Sequence, residues 1–205
     1  MFDAPKITAV VWDVGRVLYR WELRHLFREL IADEAELDWF LANVVTEEWH
    51  FEHDAGRPLA EMLPERIAQF PAYATHIRAY AERFNDTIPG PVPGTHALVE
   101  RLAERGVAQF ALTNFGAEFW DVFLPTAPVF GHMQDIVVSG RECLVKPDPA
   151  IYALAEARYG HPPQQLFFID DRADNIAAAK ARGWHGHVFT DAGPLEAELA
   201  RLGLL

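Results

Sequence analysis

Two hydrophobic periods divide this chain. Short apolar runs at residues 109–112, 135–138, 166–169 and 185–189 alternate with segments of helical spacing at 95–105, 149–159 and 175–182. Strands that alternate with helices in this way predict right-handed βαβ units around a parallel sheet. A further apolar run, Ile7-Thr8-Ala9-Val10-Val11-Trp12, lies near the N-terminus. From about 19 to 87 the pattern changes: apolar residues recur three and four apart, as in Leu23, Leu26, Phe27 and Leu30, or Ile67, Phe70, Ile77 and Tyr80, and predict a helical bundle. The run Ile88-Pro89-Gly90-Pro91-Val92-Pro93-Gly94 is a hinge between the two regions. The pattern predicts an α/β fold, a doubly wound parallel sheet built from residues 1–18 and 92–205, with a helical segment, 19–91, inserted after the first strand. Residues 47–58 break the helical pattern and end in a Gly-Arg-Pro turn. They read as a substrate-facing loop carrying His50 and His53, although both histidines suit an ordinary surface equally well.

Composition narrows the function classes. With 205 residues, half of them apolar, the chain can bury a sizeable core and a smaller accessory lobe. A formal net charge of −12, with no basic block, argues against a nucleic-acid surface and for a small diffusible substrate. Cys143 is the single cysteine, has no partner for an internal disulfide, and reads as a small residue in or near a core. An early acidic residue, no basic apolar leader and no apolar stretch of membrane-spanning length make a cytoplasmic protein, monomer or homodimer, the expectation.

The chemistry lies where strands end. Asp13 follows the first apolar run and precedes Val14-Gly15-Arg16, which places a carboxylate at the C-terminal edge of the sheet, where open α/β folds put their active sites. It is a candidate nucleophile, and also a normal turn-capping residue. Thr113-Asn114-Phe115-Gly116 ends a second strand with a hydroxyl, an amide and a run of backbone N–H groups suited to a phosphate or oxyanion. Lys146 precedes a helix whose predicted N-cap is Asp148, and either balances anionic charge or is a solvated loop lysine. Asp170 and Asp171 end another strand side by side, where their charges repel unless a cation or proton intervenes. With Asp13 they form a hard-oxygen set of the kind that binds Mg²⁺.

The ordered set of aspartate, Thr-Asn, Lys-Pro and Asp-Asp, each at a strand end or helix start, resembles the four motifs of the haloacid dehalogenase superfamily of aspartyl-nucleophile hydrolases. Within that superfamily, W-D-V-G-R-V-L, L-T-N, V-K-P-D-P-A-I-Y and F-F-I-D-D-R-A-D-N-I are similar to a branch of small bacterial sugar-phosphate phosphatases, which includes a glucose-1-phosphate phosphatase. The resemblance implies a Rossmann-like core with an inserted helical cap and a small phosphorylated metabolite as substrate. It implies that Asp13 attacks phosphorus to form an aspartyl-phosphate, that Thr113, Asn114 and Lys146 hold the transferring oxygens, and that Mg²⁺ sits on Asp13, the Gly15 carbonyl and Asp171, with Asp170 in support.

One position departs from that pattern. Most phosphatases of the superfamily carry a second aspartate two residues after the nucleophile, as acid for the leaving alcohol and base for water. Here that position is Gly15. Positioned acid-base catalysis is worth about a hundredfold or more, so either the leaving group needs little protonation or His50, His53 or a metal-bound water substitutes. Two other functions remain: metal-independent 2-haloacid dehalogenation, whose pattern has an aromatic residue and Gly-Thr after the nucleophile and no Asp-Asp pair, and a non-catalytic phosphate-ligand or interaction module on the same scaffold.

Overall fold

Why the first apolar run is uninterrupted becomes clear from its place in the sheet. In a computed structural model, which describes residues 7–205, strand β1 (Ala9–Trp12) is central and buried on both faces. Buried parallel strands read as continuous apolar runs because helices cover both sides. The short strands β2 (Tyr19–Arg20) and β3 (Gly90–Pro91) pair antiparallel with each other. Strands β4 (Ala108–Thr113), β5 (Asp135–Val138), β6 (Leu166–Asp170) and β7 (His185–Val188) complete a parallel sheet of order β5-β4-β1-β6-β7. The doubly wound topology is as expected. Residues 1–6, with the early acidic residue of the leader argument and the start of the first core segment, lie outside the described residues.

Between β2 and β3 run five helices, α1 (Leu23–Phe27), α2 (Glu34–Asn43), α3 (Glu47–Asp54), α4 (Leu59–Gln69) and α5 (Ala74–Glu82). After β3 come α6 (Thr95–Glu104), α7 (Ala117–Phe123), α8 (Ser139–Glu142), α9 (Pro149–Tyr159), α10 (Ala173–Ala181) and α11 (Ala192–Arg201). Successive β1 side chains face opposite ways. Val10 and Trp12 join Leu98 and Leu102 of α6 and Leu195 and Leu199 of α11. Ala9 and Val11 join Ile151 and Tyr152 of α9 and Ile176 of α10. The first cluster continues through Leu26, Phe27, Phe40, Trp49, Ile77 and Tyr80 of the inserted helices, so one hydrophobic core joins sheet and insertion. Within it, Trp12 Nε1 donates to Gln109 Oε1 at 3.0 Å, and Gln109 Nε2 donates to the Val99 carbonyl at 2.9 Å.

Three expectations change. Residues 47–54 are a helix, not a loop, with Thr46 Oγ1 accepting from Trp49 N at 3.1 Å as N-cap. The apolar period failed to reveal it because α3 buries Trp49, His50, His53 and Asp54, three of them polar. The Pro-Gly hinge is in part a strand, β3, held to β2. Cys143 is exposed rather than in a core, because it ends α8 in the left-handed conformation, φ 53°, which turns the chain outward.

Candidate active site

The register of the sheet assembles the site. Trp12 lies opposite Ala111 of β4 and Ile169 of β6. One residue on, Asp13 N donates to the Ile169 carbonyl at 2.8 Å, which extends the ladder and delivers the side chain between the ends of β4 and β6. Both sequence readings of Asp13 hold at once: its Oδ1 caps the turn by accepting from Val14 N at 2.8 Å, and it also accepts from Lys146 Nζ at 2.8 Å.

Lys146 is no solvated loop lysine. Only 2% exposed, it reaches Asp170 Oδ2 at 2.7 Å as well as Asp13. Its backbone is strapped by Asn114, whose Nδ2 donates to the Lys146 carbonyl at 3.0 Å and whose Oδ1 accepts from Lys146 N at 2.9 Å. Asp148 N-caps α9 as expected, accepting from Ala150 N at 2.8 Å. Asp170 is fully buried and saturated: Oδ1 accepts from Arg172 N at 2.8 Å, Oδ2 from Lys146, and Asn175 Nδ2 lies 3.0 Å from both oxygens. Asp171 is half-buried and takes no side-chain hydrogen bond from another described residue.

Carboxylate oxygens of Asp13, Asp170 and Asp171 lie within 4.8 Å of one another. Three carboxylates against one ammonium leave about two negative charges, which a divalent cation balances. Oxygens are free to receive it, on Asp13 Oδ2, on Asp171 and on the Gly15 carbonyl, which accepts no hydrogen bond from a described residue. The donor set is all oxygen and suits Mg²⁺.

Electrostatics point the same way. Burial pushes the Asp13 carboxyl up to about 7, against Lys146 and with help from Asp170. Burial and Asp170 also raise Asp171, against Arg16 and Lys146. For Lys146 burial works against the charge, but Asp13 and Asp170 outweigh it and hold the ammonium above its ordinary value. Because the folded protein keeps on Asp13 a proton that the unfolded chain releases near 3.8, this group lowers stability progressively as pH rises from about 4 to about 7. His96 and His187, whose pKa values burial lowers, act in the opposite direction. Thermal unfolding in a chelator should therefore show metal-free native protein losing stability relative to Asp13→Asn across that range, and Mg²⁺ should restore more stability at pH 8 than at pH 5. Parallel curves for the two proteins would exclude the effect.

Asp13, Gly15, Asn114, Lys146, Asp171 and His50 border one cavity of about 410 Å³. Three candidates stand differently. Thr113 is buried and is not part of the cavity lining, its Oγ1 3.4 Å from the Asn114 carbonyl, and Asn114 borders the cavity while its amide also straps the Lys146 backbone, with one Nδ2 proton uncommitted among the described residues. His53 does not border the cavity: its Nδ1 lies 2.8 Å from the Arg57 carbonyl, and its ring packs on Gly116, where any Cβ would collide with it. Residues unassigned from sequence complete the wall, among them Arg16, Trp21 and Asp54. Arg16, at φ 62°, lays its guanidinium 5.0 Å from the Trp21 ring centre and pairs with Glu47 of α3. Asn175 carried one signal, its place five residues after Asp170 at the start of α10.

A family model of haloacid dehalogenase-like hydrolases matches residues 7–183. The chain belongs to the haloacid dehalogenase-like hydrolases. It is similar to a phosphoglycolate phosphatase of Pseudomonas putida, 30% identical over 112 residues, which are 55% of this chain and 40% of that protein. A phosphonoacetaldehyde hydrolase of Nitratidesulfovibrio vulgaris is 31% identical over 118 residues, 55% of this chain and 42% of that protein. The chain thus spans less than half the length of these curated relatives. Among solved structures, a HAD family enzyme of Bacteroides thetaiotaomicron superposes with a TM-score of 0.75 at 17% identity, covering 95% of this chain and 99% of that one. The magnesium complex of the Bacteroides enzyme gives 0.73 at 18% identity, covering 96% and 100%. At these identities the likeness is one of fold. No described helix of this hydrolase is long and apolar enough to cross a membrane.

Proposed function

We propose that this hydrolase cleaves small phosphate monoesters, sugar phosphates among them, through an aspartyl-phosphate on Asp13, with Mg²⁺ as cofactor. The observation that carries the reading is the cluster itself: Asp13, Asp171 and Lys146 border one cavity with Asp170 buried beside them, and the three carboxylates, when ionised, leave about two negative charges unbalanced. The magnesium complex of the Bacteroides enzyme and the phosphatase name of the Pseudomonas relative support it.

Asp13, the Gly15 carbonyl and Asp171 would hold the metal, which when bound screens the attacking carboxylate from the phosphate dianion. The Asp13 carboxylate, held through Oδ1 by Val14 N and Lys146, attacks phosphorus. Lys146 keeps Asp13 in place and offers positive charge to the equatorial oxygens. Asp170 and Asn175 fix Lys146; Asn114 fixes its backbone. The inserted helices form a cap that carries His50, Phe51 and Asp54 to the cavity and limits water there. A volume of about 410 Å³ suits a small phosphorylated metabolite and no macromolecule.

The test is an activity screen with and without Mg²⁺ over phosphorylated sugars, nucleotides, small phosphorylated acids and 2-haloacids. Mg²⁺-dependent release of phosphate is the expected result. Halide release without metal would replace the reading by dehalogenation, and silence throughout, with phosphate still bound, by a binding module.

A further inference from the structure

Resting on the phosphatase reading, we infer that Asp54, brought from the inserted helices, is the proton carrier that Gly15 is not. A monoesterase of this kind needs a group that protonates the leaving oxygen and then deprotonates water. The cluster at the strand ends offers none: Asp13 attacks, Asp171 would hold the metal, and Asp170 and Lys146 are saturated by each other and by their neighbours. From helix α3 of the insertion, Asp54 borders the same cavity, is only 5% exposed, and has in Oδ1 a buried oxygen with no hydrogen-bond partner among the described residues. A buried acceptor without a donor is uncommon in folded proteins, and a proton, a water or a substrate oxygen satisfies it.

The surroundings of Asp54 hold it in position. Its backbone carbonyl accepts from Ser139 Oγ at 2.6 Å, and Ser139 also accepts from Phe115 N at 2.9 Å, so the end of α3 is bolted to the loop after β4. His50, one helical turn earlier, lies with Nε2 3.3 Å from Asp54 Oδ2 and Nδ1 2.7 Å from the Tyr80 hydroxyl. Burial keeps the Tyr80 hydroxyl protonated, so we assign it as donor to Nδ1 and the imidazole proton to Nε2, facing Asp54. The ring is stacked on Phe84 at 5.6 Å and lies 4.6 Å from Trp21, which prevents it from turning away. Tyr80 and His50 are thus positioning residues for one carboxyl.

In the first step an Asp13 oxygen bonds to phosphorus, the bond from phosphorus to the leaving oxygen breaks, and that oxygen takes the proton from Asp54. In the second step water bonds to phosphorus and gives its proton to the Asp54 carboxylate, while the bond to Asp13 breaks. Both residues return to their starting state and the products are the alcohol and hydrogen phosphate.

The experiment compares native protein, Asp54→Asn, Gly15→Asp and the double variant on aryl and alkyl phosphates of graded leaving-group pKa, after thermal unfolding confirms folding. Gly15 is not at positive φ and an added Cβ meets nothing within 4 Å, so the turn accepts the aspartate. Native kcat should depend weakly on leaving-group pKa. Asp54→Asn should lose about a hundredfold or more on alkyl esters and far less on activated aryl esters in the phosphorylation step, accumulate acid-quenched phosphate on Asp13, and regain a weak dependence in the double variant. A uniform loss across leaving groups, or a KM increase at unchanged kcat, would overturn the role of Asp54 while the phosphatase reading stands. A native protein with no phosphatase activity overturns both. If Asp54→Asn does not fold, native protein against Gly15→Asp decides: a steep native dependence that Gly15→Asp flattens rejects the inference, and a weak one unchanged by Gly15→Asp sustains it.

Discussion

Asp13→Asn should lose turnover by at least about three orders of magnitude, the scale on which covalent hydrolases respond to losing a member of the nucleophilic machinery. The amide nearly fills the space of the carboxyl and still accepts from Val14 N and Lys146, but it is a poor nucleophile. Phosphate binding should survive, because Lys146 and the loop backbone remain. Rapid quenching of native protein with a labelled ester should trap phosphate on Asp13, and the variant should trap none. Retained turnover in Asp13→Asn, or label elsewhere in the chain, would reject the covalent mechanism. Because burial disfavours the charged form of Asp13, the neutral variant should also unfold at a higher temperature than the metal-free native protein at pH 8.

Lys146→Met should destabilise the protein by about 3–5 kcal/mol near pH 8, since removing one partner of a buried ion pair leaves the other charges uncompensated. Here two carboxylates, 0% and 10% exposed at their side chains, lose the same ammonium. The methionine stem fills the apolar part of the space, so the loss is electrostatic rather than a cavity. Two conditions should reduce it: acidification, which protonates Asp13, and Mg²⁺, which takes over the balancing charge. Urea unfolding at pH 5 and pH 8, with and without Mg²⁺, measures both. A loss below about 1 kcal/mol at pH 8, the range of exposed pairs, would mean that Lys146 does not bind the cluster together.

Much of this molecule is readable along the chain. Strand β5 and helix α9 coincide with the predicted 135–138 and 149–159, and the other predicted core elements differ by a residue or two at their ends, whereas α7, α8 and α11 have no counterpart in the sequence reading. Buried parallel strands and amphipathic helices imprint their environment as local periods, so the pattern carries them. Helix α3 was lost for the converse reason: the face it buries carries His50, His53 and Asp54, and a polar buried face has no hydrophobic period. The exposure of Cys143 was equally illegible, being set by a single left-handed residue at the end of α8.

By itself the sequence determined the doubly wound sheet and the membership of Asp13, Lys146, Asp170 and Asp171 in one site, because each stands at the end of a strand or the start of a helix and parallel topology sends those ends to one edge. Only the tertiary structure decided how the members divide the work. Asn114 straps the Lys146 backbone from the edge of the cavity, Asp170 is saturated while Asp171 takes no side-chain hydrogen bond from another described residue, His53 packs on Gly116, and Asp54 comes from the inserted helices to the same cavity. Hydrogen-bond capacity is spent pairwise between groups far apart in sequence, 24 residues for Lys146 with Asp170 and 85 for Ser139 with Asp54, and no local pattern records who has spent it.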